Sequence, residues 1–149
     1  MTEWFRKEFK ELTIDELYGI MRLRNEIFVV EQDCVYQDLD LKNKKCIHLF
    51  AMENGEAVAC LRVIPAGISY PVPSIGRLVV KQSYRRSGYA RKMMLEAINI
   101  IRNEFRAEKI RISGQAYLKE FYQSLGFKTV TEIYLEDGIE HYGFELVFG

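Results

Sequence analysis

The chain has 149 residues, 48% apolar and 28% charged, with nine Phe, nine Tyr and one Trp, which suits one globular domain over residues 1–149 and excludes disorder. Twenty-one Lys and Arg balance 21 Asp and Glu, so no net positive field draws the chain to nucleic acid or an anionic membrane. No run of ~18 apolar residues offers a transmembrane helix, and the charged start Met1–Glu8 lacks the apolar stretch of a secretory signal.

Trp4–Leu12 reads as a first strand, and Thr13-Ile-Asp-Glu16 has the T-x-x-E spacing that opens a helix. Leu17, Ile20, Met21, Ile27 and Phe28 recur at helical spacing, and the polar stretch Val30–Asp40 then reads as a loop or short irregular helix. Cys46–Met52 and Ala57–Ile64 are strand-like, joined by a Glu-Asn-Gly-Glu turn whose Asn-Gly pair predicts a hairpin. Pro65–Pro73 holds all three prolines and reads as a connection. Ser74–Lys81 reads as a strand, followed by a Gly-containing turn and a helix with Met94, Leu95, Ile98 and Ile101 on one side. Lys109–Ser113 predicts a strand, Gln115–Leu125 a helix stopped by Gly126, and Thr129–Leu135 with Tyr142–Phe148 a terminal strand pair. Interleaved strands and helices with hairpins near both ends predict a mixed α/β sheet.

Between residues 81 and 92, Lys81, Arg85, Arg86, Arg91 and Lys92 surround Gly88 without one acid. A tight turn there would bring the unpaired amides and positive dipole end of the following helix to one concavity suited to phosphate. A solvated turn flanked by surface arginines is the alternative. The turn lacks the Lys-Ser/Thr ending of a P-loop, which argues against ATP.

Arg85-Arg-Ser-Gly88-Tyr-Ala90 matches the R/Q-x-x-G-x-G/A signature of the Gcn5-related N-acetyltransferases (GNAT), with Leu78-Val-Val80 before it and Phe121-Tyr122-Gln-Ser-Leu-Gly126-Phe127 after it. The segments Phe28–Asp40, Ile75-Gly-Arg77 and Glu136–His141 further resemble the ElaA-like subgroup. The resemblance implies a GNAT fold: α/β, with a mixed, mostly antiparallel central sheet of about six to seven strands, flanking helices and a splayed central strand pair. It also implies acetyl-CoA as co-substrate and transfer to an amine. Its pyrophosphate would lie on the amides of Arg86, Ser87, Gly88, Tyr89 and Ala90, near the charges of Arg85, Arg86 and Arg91. The pantetheine arm would pair with Leu78, Val79 and Val80, and Gln115 stands where many members carry an Asn. The alternative within the resemblance is a module that binds acetyl-CoA without transferring it.

Tyr122 matches the family tyrosine that protonates the leaving thiolate. For the base that accepts the amine proton, Glu31, His48 and His141 are the candidates. Acids without bases in residues 31–40 and 132–140, including Glu31, Asp38, Asp40 and Asp137, predict a cationic acceptor such as a small amine, a lysine side chain or a peptide N-terminus; Arg77 would orient substrate or pair with Glu31 or Asp38. The alternative is two solvated acidic loops. Cys34, Cys46 and Cys60 form no Cys-x-x-Cys pair, which predicts reduced thiols in a cytoplasm, and direct transfer needs no cysteine nucleophile. No His/Cys spacing suggests a metal. A monomer or a homodimer through an edge strand is expected.

Overall fold

A computed structural model describes all 149 residues. In chain order the strands are β1 Glu3–Glu8, β2 Ile47–Glu53, β3 Glu56–Ile64, β4 Ser74–Val80, β5 Lys109–Gln115, β6 Lys128–Thr129, β7 Tyr134–Glu136 and β8 Ile139–Val147. The α-helices are α1 Ile14–Arg24, α2 Tyr89–Asn99 and α3 Lys119–Ser124. No helix is long and apolar enough to cross a membrane.

The eight strands form two sheets, β1-β2-β3-β4 and β5-β8-β6, with β7 also on β8. Every ladder is antiparallel. Between the sheets, β4 and β5 do not pair as strands. One backbone bond ties their starts, from Arg111 N–H to the Pro73 carbonyl at 3.1 Å, and from there the strands diverge. This is the expected splayed pair, reached with eight short strands rather than six or seven.

Burial on two faces explains the strand sequences. In β2, Leu49 and Ala51 join the core that includes Met93, Met94 and Ala97 of α2, while Phe50 joins the core of Ile20, Leu23 and Ile27 on the α1 side. A strand covered on both faces reads as a continuous apolar run, as β2 and β3 do.

Three boundaries differ from expectation. The first strand stops at Glu8, because Glu11 reaches back to the Glu8 amide at 2.9 Å and turns Phe9–Glu11 into a 3-10 turn. The segment 116–124 is a 3-10 turn followed by the short α3. The penultimate strand is divided into β6 and β7: the Thr131 hydroxyl takes the Gly143 amide proton at 2.8 Å in place of a ladder bond. The α1 axis continues past Arg24 as a π-helical segment, Asn25–Glu31, that carries Ile27 and Phe28 toward the splay.

Thr13 caps α1 as its sequence predicts: its hydroxyl accepts the Glu16 amide at 3.1 Å and Glu16 accepts the Thr13 amide at 2.9 Å. Thr13→Ala is expected to cost about 1 kcal/mol, lowering the thermal midpoint by roughly 2–4 °C, as measured by calorimetry.

Candidate active site

The diverging halves of β4 and β5 enclose a cleft of about 610 Å³, bordered by α2, α3 and the π-helical end of α1. One end is the turn between β4 and α2. Arg86 and Gly88 both take left-handed backbone conformations, φ 62° and 82°, which wind the chain sharply into α2. Nothing lies within 4 Å of where a Gly88 side chain would begin, so glycine is required there by conformation and not by crowding. Gly88 caps α2 without a side-chain bond, leaving the first-turn amides open at the positive dipole end. Arg85, Arg86 and Arg91 line this end, a donor set that fits a pyrophosphate. Arg85 donates to the Val80 carbonyl at 3.0 Å and forms a double ion pair with Glu31, at 2.8 and 3.0 Å.

Tyr122 lines the cleft. Its ring packs edge-on against Phe127 and tilted against Phe144, and burial, with Tyr117 nearby, pushes its phenol above the ordinary value. The hydroxyl therefore stays protonated at neutral pH, as a proton donor must. Gly114 makes this placement possible: a β-carbon there would lie 2.6 Å from the Tyr122 ring and 3.0 Å from Phe144. Sequence reasoning did not single out Gly114, although an isolated glycine inside a strand signals close approach of a neighbour.

On another part of the cleft wall, β8 places His141 opposite Gln115 of β5. His141 Nδ1 lies 2.7 Å from the Ile139 carbonyl. A carbonyl only accepts, so Nδ1 donates to it, and Nε2 is the nitrogen left to face the cleft residue Glu136. Glu136, a cleft residue from the acidic stretch 132–140, has a carboxylate oxygen 3.5 Å from Nε2 and accepts from Ser113 at 3.1 Å. Gln32, absent from the sequence candidates, exchanges amide bonds with Gln115 at 3.2 and 3.3 Å, so the end of the π-helical segment reaches both walls, through Glu31 and through Gln32.

A family model for the acetyltransferase (GNAT) domain matches residues 15–148. The chain belongs to the GNAT acetyltransferase family. A UPF0039 protein of Schizosaccharomyces pombe is 43% identical over 141 residues, covering 93% of each chain. Protein ElaA of Escherichia coli is 34% identical over 145 residues, covering 96% of this chain and 95% of its own. Among solved structures, an acyl-CoA N-acyltransferase from Pseudomonas aeruginosa superposes with a TM-score of 0.91 at 34% identity, over 99% of this chain and 100% of its own. The E. coli ElaA crystal structure gives 0.90 at 33% identity, over 98% and 99%. The ElaA-like resemblance and the GNAT fold hold, and the protein is an acyltransferase of this family.

Within this GNAT acyltransferase, Leu78, Val79, Val80, Arg85, Arg86, Gly88, Tyr89, Ala90, Arg91, Gln115 and Tyr122 line the cleft, together with Glu31, Arg77 and His141. Five candidates do not. The Ser87 hydroxyl turns back to the Tyr84 carbonyl. Asp137 sits at the β7–β8 turn, where its carbonyl accepts from the Cys34 thiol at 3.3 Å. Asp38 pairs with Arg24 at 3.0 Å and Arg77 at 2.8 Å, and Asp40 with Arg62 at 2.6 Å. Three guanidiniums thus consume two of the acids assigned to substrate. Cys46 and Cys60 are buried, which pushes their thiols up to about 11 and about 12.

His48 is the fifth. It is buried in β2, away from the cleft, with Nε2 2.8 Å from the Asn43 carbonyl. Burial, with help from the charges of Arg24 and Arg62, lowers its pKa against the opposing effect of that bond. Unfolded histidine titrates near ~6.5, so the unfolded chain takes up the proton first; the contribution to stability is full above that pH and declines below it. The thermal midpoint is expected to fall between about pH 7 and about pH 5.5, and to fall less in His48→Gln, which keeps an N–H donor. An identical decline in both proteins would contradict this role.

Proposed function

We propose that this acyltransferase uses acetyl-CoA as donor and passes the acetyl group directly to a primary amine. The observation that carries the reading is Tyr122, a protonated phenol that lines one cleft together with the arginine-flanked turn before α2 and with His141.

In this reading the pyrophosphate rests on the open amides at the start of α2, with Arg85, Arg86 and Arg91 around it, and the pantetheine arm runs along the free edge of β4 as an added strand would. The neutral amine attacks the thioester carbon. The new C–N bond forms as the C–S bond breaks, the departing sulfur takes the Tyr122 proton, and the proton lost by nitrogen passes to His141 Nε2, directly or through water. Glu136, beside Nε2, steadies the imidazolium. Glu31 is the weaker candidate for base, because Arg85 already holds its carboxylate.

The acceptor is assigned as a cationic amine: a small molecule, a lysine side chain or a peptide N-terminus. Support comes from Glu136 in the cleft and from Glu132, Asp137 and Glu140 around the same hairpin, with no base in residues 132–140. The acids of residues 31–40 add little, since Glu31, Asp38 and Asp40 are matched by arginines.

Purified protein, acetyl-CoA and a panel of amines test this through release of free thiol. Turnover is expected with cationic amines, and Tyr122→Phe, which keeps the ring packing, should lower kcat by about 100-fold or more. CoA binding without thiol release from any amine would identify a non-catalytic binder, and acetylation of neutral or anionic acceptors alone would overturn the acceptor assignment.

A further inference from the structure

Arg77 stands in the middle of β4 with a left-handed backbone, φ 53°, a conformation unfavourable for a residue with a long side chain. The ladder slips at the same place. Cys60 faces Val79 and Arg62 faces Gly76, so Leu61 alone spans Arg77 and Leu78. This is a β-bulge, which bends a strand and re-aims its edge. Here it lies within the cleft wall, directly before the Val79–Val80 segment.

Side chains hold the slip from both strands. Arg77 pairs with Asp38 at 2.8 Å and Asp40 at 3.4 Å, and stacks over the rings of Phe28 and Tyr36 at 6.0 and 5.7 Å. Arg62 on β3 reaches the same Asp40 carboxylate with two bonds, 2.6 and 2.7 Å. Asp38 is fixed in turn by buried Arg24 of α1 at 3.0 Å and by the Tyr36 hydroxyl at 2.9 Å. One short stretch of loop therefore receives a guanidinium from α1, one from β3 and one from β4; Arg77 stands in the bulge and Arg62 next to it on the facing strand. A network this buried costs desolvation and adds little net stability, so its use is better sought in what it positions.

We propose that Arg77, clamped by Asp38 and Asp40, is a positioning residue for the acyl donor: it fixes the bulge that turns the free edge of β4 toward the donor's arm. The proposal rests on the reading that acyl-CoA binds along β4. Arg77 acts through the strand and takes no part in proton transfer.

Arg77→Gly separates the clamp from the backbone, because glycine adopts the left-handed conformation without strain while the side-chain anchor is lost. CoA affinity by calorimetry should weaken by about tenfold or more, the equivalent of one well-made interaction, and the KM for acetyl-CoA should rise while the acceptor KM stays unchanged. Arg77→Lys, which restores one charge, should recover part of the loss. Asp40→Asn, at a partly exposed position, should shift CoA affinity in the same direction by less. Wild-type CoA affinity in Arg77→Gly would overturn the proposal, as would equal increases in both KM values. Failure of the wild-type protein itself to bind CoA would overturn the donor reading, and the clamp with it.

Discussion

The structure depends on one refusal of pairing: β4 and β5 meet through a single backbone bond at Arg111 and Pro73 and then part. Backbone amides and carbonyls in a protein interior seek partners almost without exception. Two strands set side by side at the junction of two sheets would ordinarily satisfy each other, and here they line a cleft instead. The ladder of β4 with β3 slips at Arg77, and Gly114 lets Tyr122 press against β5. The site is thus the place where the sheet is prevented from closing.

That constraint orders the charges. The chain sums to zero, yet the balance is local and uneven. Glu31, Asp38 and Asp40 answer Arg85, Arg24, Arg77 and Arg62, which ties residues 31–40 to three secondary-structure elements and to the turn between β4 and α2. Against the raising effect of burial, Arg62, with the Lys42 amide and Arg77, holds the Asp40 carboxyl far below the ordinary carboxylate range, so that carboxylate stays ionised at neutral pH. The acidic loop is therefore mostly a structural counterion. What remains in the cleft without an ion pair to an acid is Arg86 and Arg91 at the helix start, with Glu136 beside His141, opposite signs suited to a polyanionic donor and a cationic acceptor.

Most of the fold was legible because it rests on local signals. The Thr13–Glu16 capping box, the Asn54-Gly55 hairpin and the glycine at the start of α2 each act within a few residues, and burial of β2 and β3 on two faces leaves a continuous apolar run. The glycine turn into α2 and the cleft residue Tyr122 were legible through the GNAT motif. The bulge at Arg77 was not, since nothing in Ile-Gly-Arg-Leu announces a left-handed arginine; its anchors, Asp38 and Asp40, lie on a distant loop. The same holds for His48, whose type suggests catalysis while its place in a buried strand makes it a hydrogen-bonding core residue. The Glu31–Arg85 pair and the Gln32–Gln115 exchange arise only when α1's extension is laid across the cleft, a tertiary fact without a periodic trace.

The central claim, that the free edge of β4 and the start of α2 together receive the acyl donor, is tested most directly by backbone amide hydrogen exchange with and without CoA. The account predicts new protection at Leu78–Val80 and at Arg86–Ala90, with β1 and β6 unchanged. Saturating CoA binding that leaves both segments exchanging as in the free protein would contradict it.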